Sequence, residues 1–411
     1  MKVSPILENA MLMCKGMSGA IAQSAVWSRR RMRGIEEELE KIRRNGLWRK
    51  LTPYRHMGGR HEEVMQQFAS NDYLGLANHP SISEAFQEGL SIHGHGATAS
   101  RLICGTNPAH LLLEESLAER KGTARALTFS SGYAAAMGTI PALLSPSDFI
   151  LVDKLSHACL IDAAKLSRAT LRVFPHNHMG KLRKLLESIR AQHGSKPRIL
   201  IVTESVFSMD GDLAPLHEIV ALKNLHDAWL LVDEAHGFGV FGEQGGGLAE
   251  ELGLQQDIEL QMGTLSKAAG LAGGFIAGSS ALIDLLINRA RSFIYSTAPP
   301  PALAHAALRS VELMGGAEGR ELRKRLQKNV SLLRDVPASS KNTPIFPLIL
   351  GSNESAMEAS SRLADAGFIV PAIRYPTVPR NTARLRISVS AAHQESSVHA
   401  LRDQLKQLAS R

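Results

Sequence analysis

Five short apolar runs, each ending abruptly in polar residues, constrain the fold of this chain more than any other feature. They are A-L-T-F-S-S (126–131), D-F-I-L-V-D (148–153), I-L-I-V-T-E-S (199–205), W-L-L-V-D-E (229–234) and G-G-F-I-A-G (273–278). Runs this short and this apolar suit strands buried on both faces. Amphipathic stretches lie between them, such as L-L-L-E-E-S-L-A-E-R (111–120) and M-G-K-L-R-K-L-L-E-S-I-R (179–190). Strands alternating with helices predict an α/β fold, a mostly parallel sheet flanked by helices. Ligands of such sheets gather at the carboxyl ends of the strands, where these runs turn polar.

After about residue 305 the pattern changes. A helical stretch, A-L-A-H-A-A-L-R-S-V-E-L-M (302–314), is followed by strand-like I-F-P-L-I-L (345–350). A-R-L-R-I-S-V-S (383–390) then alternates as a half-buried strand should, and an amphipathic helix ends the chain. The expected division is an N-terminal extension and helical segment (1–70), a large ligand-binding domain (71–305) and a small α+β C-terminal domain (306–411).

Composition narrows the function. Hydrophobic residues at 44% and charged residues at 21% are ordinary for a globular protein. No apolar run reaches the roughly 18 residues that span a bilayer, so no membrane association is expected. Cys14, Cys104 and Cys159 are too few and scattered for a disulfide framework or a zinc site. No metal is expected, and a reducing cytoplasm fits best. In residues 1–27, Glu8 and Lys15 interrupt the apolar character and the arginines follow it, the wrong order for a secretory signal. That segment reads as an extra helix or tail.

The formal charge is +8, and between Arg29 and Arg60 eleven Lys/Arg face four Glu. E-E-E-L-E-K-I-R-R (36–44) sets acids and bases at helical spacing, the pattern of a solvated helix face. Without interleaved aromatics this does not predict nucleic-acid binding. A polyanionic small molecule suits the region better.

The chemistry begins with V-D-E-A-H-G (232–237), where Asp233 ends a buried run and His236 follows in the turn. Alone, such a pair is more simply a carboxylate capping its own turn. A buried carboxylate needs a cationic partner, though, and a protonated pyridine nitrogen of pyridoxal 5'-phosphate is one candidate. That cofactor makes further demands. Its phosphate needs backbone N–H groups at a helix N-terminus, which S-S-G-Y-A-A-A-M-G (130–138) offers through Gly132 and Tyr133.

Its aldehyde needs an amine. T-L-S-K-A-A-G (264–270) supplies Lys267 among small neighbours, with Thr264 near enough in sequence to reach the phosphate. The ring needs a flat partner, and His157 follows the strand ending at Asp153. Ser208, in S-V-F-S-M-D-G-D (205–212), suits the ring hydroxyl oxygen. Each signal is weak alone, since lone histidines and glycine-rich turns are common. In chain order at strand ends they describe one site.

These residues make the chain resemble the α-oxoamine synthases, fold-type I pyridoxal-phosphate enzymes, from about residue 35 to the C-terminus. The carriers are S-N-D-Y-L-G-L (70–76), S-S-G-Y-A-A, D-K-L-S-H-A, T-E-S-V-F-S-M-D-G-D, D-E-A-H-G-F-G-V and T-L-S-K-A. The resemblance implies an aspartate aminotransferase-like fold with a seven-stranded sheet, and a homodimer with shared active sites. It also implies the reaction, an amino acid condensed with an acyl-CoA (or acyl-carrier) thioester with loss of carbon dioxide and free CoA.

Three stretches look most like the biotin-pathway branch, which uses L-alanine and a pimeloyl thioester: 286–301, 367–380 and 382–393. H-G-H-G-A-T-A-S-R-L-I-C-G (93–105) is closer to glycine-using 2-amino-3-ketobutyrate CoA ligases and 5-aminolevulinate synthases. Ala136 stands where many relatives have Asn. A non-catalytic scaffold relative would be expected to lose the lysine or the aspartate, and both are present.

By the same resemblance Lys267 holds the cofactor and removes the substrate's α-proton. Asp233 keeps the ring nitrogen protonated, His157 stacks on the ring, and His236 and Ser208 face the ring oxygen. Gly132, Tyr133 and Thr264 serve the phosphate. Asn71 lies near the reacting carboxylate and thioester, and Arg386 binds the amino-acid carboxylate, with Arg384 on the same strand face as the alternative. Ser296 or Thr297 reaches the partner's phosphate.

Overall fold

A computed structural model of the chain describes residues 29–51, 65–336 and 342–409. The chain groups into two compact units, Met1–Arg55 and His56–Arg411. The first unit contributes one described helix, Arg29–Arg44. Lys41, Arg43 and Arg44 crowd its last turn, where cations meet the carbonyl end of the helix dipole. The expected tail at 1–27 lies outside the described residues. The division expected at 70/71 and 305/306 stands as a proposal beside this grouping.

The second unit is built on a seven-stranded sheet and two small ones. After β1 (Gln66–Gln67), the large sheet takes β2 (Arg125–Phe129), β3 (Phe149–Asp153), β4 (Thr170–Phe174), β5 (Ile199–Glu204), β6 (Trp229–Asp233), β7 (Leu260–Thr264) and β8 (Gly274–Gly278). Their order is β2-β8-β7-β6-β5-β3-β4. Only β8 is antiparallel to its neighbours β2 and β7. All the other strands therefore end at one edge of the sheet.

Both faces of this sheet are buried, as the apolar runs require. Ile199 and Ile201 of β5 pack into one hydrophobic core, and Leu200 and Val202 into a second. β3 repeats the alternation, with Phe149 and Leu151 against Ile150 and Val152. This is the period of two along a strand, realised twice over because helices cover each side. Each fully buried aliphatic side chain contributes about 1.5–3 kcal/mol.

The smaller sheets come from the C-terminal third: β9 (Ile345–Gly351), β10 (Phe368–Ile369), β11 (Ala372–Ile373) and β12 (Ala383–Ser388). Antiparallel β12 lies between β11 and β9, while β1 pairs in parallel with β10. Segment 66–73 is laced onto the end of β12: Ser388 N–H donates to Phe68 O at 2.8 Å, and Ala391 N–H to Tyr73 O at 2.8 Å. That stitching brings Asn71 and Tyr73, more than 300 residues away in sequence, beside Arg386.

Candidate active site

A cavity of about 210 Å³ opens at the carboxyl edge of the large sheet. The turn after β2 reaches it first. Ser131 caps helix Gly132–Leu143, its hydroxyl accepting from Ala134 N–H at 3.0 Å. The N–H groups of Gly132 and Tyr133 belong to the first turn, which a helix cannot satisfy internally, and they face an anion's natural seat. This turn presses on β8, because a Cβ on Gly274 would lie 2.4 Å from Gly132 N. Across from it, Thr264 Oγ1 lies 2.7 Å from Ser266 Oγ and donates to Gly273 O at 2.8 Å. Tyr133 is half exposed, and its hydroxyl donates to Asp162 Oδ2 at 2.7 Å.

Two buried carboxylates stand side by side on the cavity's wall. Glu204 and Asp233 are register partners at the ends of β5 and β6. Among the described residues neither has a cation within ion-pair distance. Asp233 Oδ1 accepts from Ala235 N–H at 2.9 Å, and Glu204 Oε1 accepts from His157 N–H at 2.5 Å. Burial raises the pKa of both, and Asp233 helps push Glu204 to about 8. His157 caps helix Ala158–Leu166, with its Nδ1 3.0 Å from Cys159 Sγ. Burial lowers its pKa, so the ring is neutral at pH 7.

Lys267 projects into the same cavity. Burial brings its pKa down to about 8, against the opposing pull of Asp233 and Glu204. Its Nζ lies 2.7 Å from His236 Nε2, and His236 Nδ1 lies 2.6 Å from the Tyr73 hydroxyl. From Tyr73 the contacts continue to Asn71 Oδ1 at 3.2 Å, and from there to Arg386 Nη1 at 3.1 Å. Burial, then the charges of Lys267 and Arg386, hold His236 well below the usual histidine range.

The two candidate arginines part company here. Arg384 donates to Asp210 Oδ1 at 2.7 Å and to Met209 O at 3.1 Å. Arg386, also buried, donates to Ser208 O, Ser388 Oγ and Asn71, none of them charged. A guanidinium with only neutral partners retains its charge for a carboxylate. Ser208 meets Arg386 through its carbonyl and does not line the cavity. Ser296 and Thr297 lie apart from it, Thr297 bridging to Ser100. Tyr73, Glu204, Cys159, Ser131 and Ser266 join the site without a role assigned from sequence, although all of them lie in or beside motifs that drew attention.

The arrangement fits pyridoxal 5'-phosphate. An amine that is partly neutral near pH 8 can condense with an aldehyde. Asp233 lacks the counter-charge that a protonated ring nitrogen supplies, and unpaired first-turn N–H groups suit a phosphate. With Gly274 holding the turn close, the parts occupy one cavity.

Comparison with known proteins agrees. The sequence model for aminotransferase class I and II matches residues 63–405. The 8-amino-7-oxononanoate synthase of Geobacter sulfurreducens is 47% identical, over 89% of this chain and 95% of that protein. That of Janthinobacterium sp. is 44% identical, over 91% and 98%. Among solved structures, serine palmitoyltransferase from Sphingomonas wittichii superposes with TM-score 0.83 at 30% identity, over 94% of this chain and 98% of that one. An 8-amino-7-oxononanoate synthase from Francisella tularensis gives 0.72 at 28%, over 85% and 99%. The chain belongs to the aminotransferase class I and II family, in its α-oxoamine synthase branch.

Proposed function

We propose that the protein condenses L-alanine with a pimeloyl thioester to give 8-amino-7-oxononanoate, carbon dioxide and free CoA, a step of biotin biosynthesis. The observation that carries this reading is one buried amine, Lys267, sharing a cavity with Asp233, His157 and His236, in a chain whose matched relatives carry that activity in their names. Pyridoxal phosphate, when bound, supplies an aldehyde for the amine and a protonated ring that accepts electron density from the substrate's α-carbon.

The chain's own residues do the rest. Gly132 and Tyr133 N–H groups, with Thr264, hold the phosphate, and Asp233 keeps the ring nitrogen protonated. His157 lies on the ring face, while His236 serves the ring oxygen. Lys267, neutral above about pH 8, takes the α-proton, since an amine poised near the working pH is an effective base. Arg386 clamps the amino-acid carboxylate, and Asn71, already hydrogen-bonded to it, flanks the reacting groups. We place the enzyme in the cytoplasm as a homodimer, with Ser296 or Thr297 reaching the partner's phosphate. No helix among the described residues is long and apolar enough to cross a membrane.

The test is product formation, read by mass spectrometry, from alanine plus pimeloyl-CoA against glycine plus acetyl-CoA or succinyl-CoA. Turnover with alanine supports the assignment. Turnover confined to glycine overturns the substrate, and a colourless protein that takes up no pyridoxal phosphate overturns the enzyme reading in favour of a scaffold of the same fold.

A further inference from the structure

Tyr73 is fully buried, touches the site's central histidine, and has no part in the reaction just described. We propose that Tyr73 is a positioning residue: its hydroxyl fixes the tautomer of His236 and thereby biases the charge on Lys267. The consequence for Lys267 rests on its reading as the cofactor-binding amine; the tautomer does not.

The polarity of the contacts decides the tautomer. Arg386 Nη1, which can only donate, sits 3.1 Å from the Asn71 side-chain oxygen and so identifies that atom as the acceptor. The Tyr73 hydroxyl, 3.2 Å from the same oxygen, has to donate to it. Burial keeps the phenol protonated, and it has one proton to give. The 2.6 Å contact to His236 Nδ1 therefore needs its hydrogen on Nδ1. His236 Nε2 is left with its lone pair, which accepts from Lys267 Nζ at 2.7 Å. Donors run one way, from Lys267 through His236 and Tyr73 to Asn71, with Arg386 closing the far end.

That direction bears on charge. An Nε2 lone pair accepts from an ammonium or from a neutral amine. The opposite tautomer would aim N–H at Lys267, and only a neutral amine has a lone pair to receive it. The groups that act on this amine are Asp233 and Glu204, which favour its charge, Arg386, His236 and His157 beside it, and the Cys159 thiol. Holding Nδ1–H on Tyr73 thus supports the charged lysine against burial.

The experiment uses the full-length, cofactor-free chain labelled with ¹⁵N-histidine, with His236 assigned by its loss in His236→Asn. The wild type is expected to show Nδ1–H. In Tyr73→Phe a buried Nδ1–H would have no acceptor, so His236 inverts to Nε2–H. The pH midpoint for uptake of pyridoxal phosphate then falls by roughly one unit. Asn71→Ala leaves the ring in place, frees the phenol proton for Nδ1, and is expected to give the same inversion and the same direction of shift. It serves as the test if Tyr73→Phe does not fold.

A tyrosine that merely fills space would lower thermal stability without inverting the tautomer. Nε2–H in the wild type, or folded variants that keep Nδ1–H and the wild-type midpoint, would overturn the inference. The spectra decide it without any cofactor, whereas wild-type uptake alone decides the functional reading.

Discussion

Lys121 and Lys267 are both removed from water, and burial lowers the pKa of both, yet their surroundings equip them for different tasks. Lys121 is fully buried at the end of helix Pro108–Lys121. Its amine donates to the Gly246 carbonyl and lies 3.8 Å from Glu234 Oε1. Glu234 in turn accepts from Leu248 and Ala249 N–H at 3.0 and 2.8 Å. Lys267 has a single imidazole in contact and a cavity in front of it. Burial by itself is therefore a poor mark of a reactive lysine; the difference lies in whether its partners are already complete. The carboxylates that act most on these amines are consecutive, Asp233 on Lys267 and Glu234 on Lys121, because adjacent residues leaving a strand face opposite ways.

Removing each amine sharpens the contrast. Lys267→Ala is expected to lower turnover by roughly 10³-fold or more, with unfolding free energy changed by less than about 1 kcal/mol. Lys121→Ala reverses the pattern, lowering stability by about 3–5 kcal/mol because Glu234 is left buried without a counter-charge. Steady-state kinetics and chemical denaturation on both variants check this. A Lys267→Ala protein as destabilised as Lys121→Ala would erase the distinction.

The arginines extend the comparison at smaller scale. Arg386→Lys loses a planar fork worth about 1.5–3 kcal/mol, so KM for the amino acid rises roughly 10- to 100-fold. Arg384→Lys perturbs an ion pair already engaged by Asp210, and it should alter KM by less than about threefold. Equal effects on KM would return the two arginines to equal standing.

The smallest effect is a slope. Glu204 holds its proton up to about pH 8 when folded, against an ordinary value of 4.5. Between those values the native chain binds more protons than the unfolded one, so this group lowers stability as pH rises through that window. Glu204→Gln should flatten the decline of the cofactor-free protein's melting temperature from pH 5 to 8. An unchanged slope would assign it to other groups.

Strand legibility followed apolar content and not burial alone, since β7 is buried throughout. The five apolar runs correspond to β2, β3, β5, β6 and β8, whose residues are buried almost throughout. β4 and β7 gave no such signal. β4 is an edge strand with Arg172 and Val173 exposed. β7 carries Gln261, whose amide donates to Lys121 O and Gln255 O, and Gly263, where a Cβ would lie 2.3 Å from the Phe275 ring. Polar and small residues inside a strand are intelligible only once their neighbours are known.

The sequence by itself determined the alternating α/β order and the chemical types held at strand ends: an amine, a carboxylate, a flat histidine and a glycine turn. These are local, because a strand buried on both faces must be apolar and must stop where polar groups begin. Only the tertiary structure decided which groups act on one another. Segment 66–73 reaches His236 and Arg386 because it is hydrogen-bonded to β12. Arg384 and Arg386, alike in sequence, separate because one meets Asp210 and the other meets neutral acceptors. Glu204 became a second buried acid because parallel pairing sets it beside Asp233. Charge and protonation depend on neighbours within a few ångströms, and those neighbours come from distant parts of the chain.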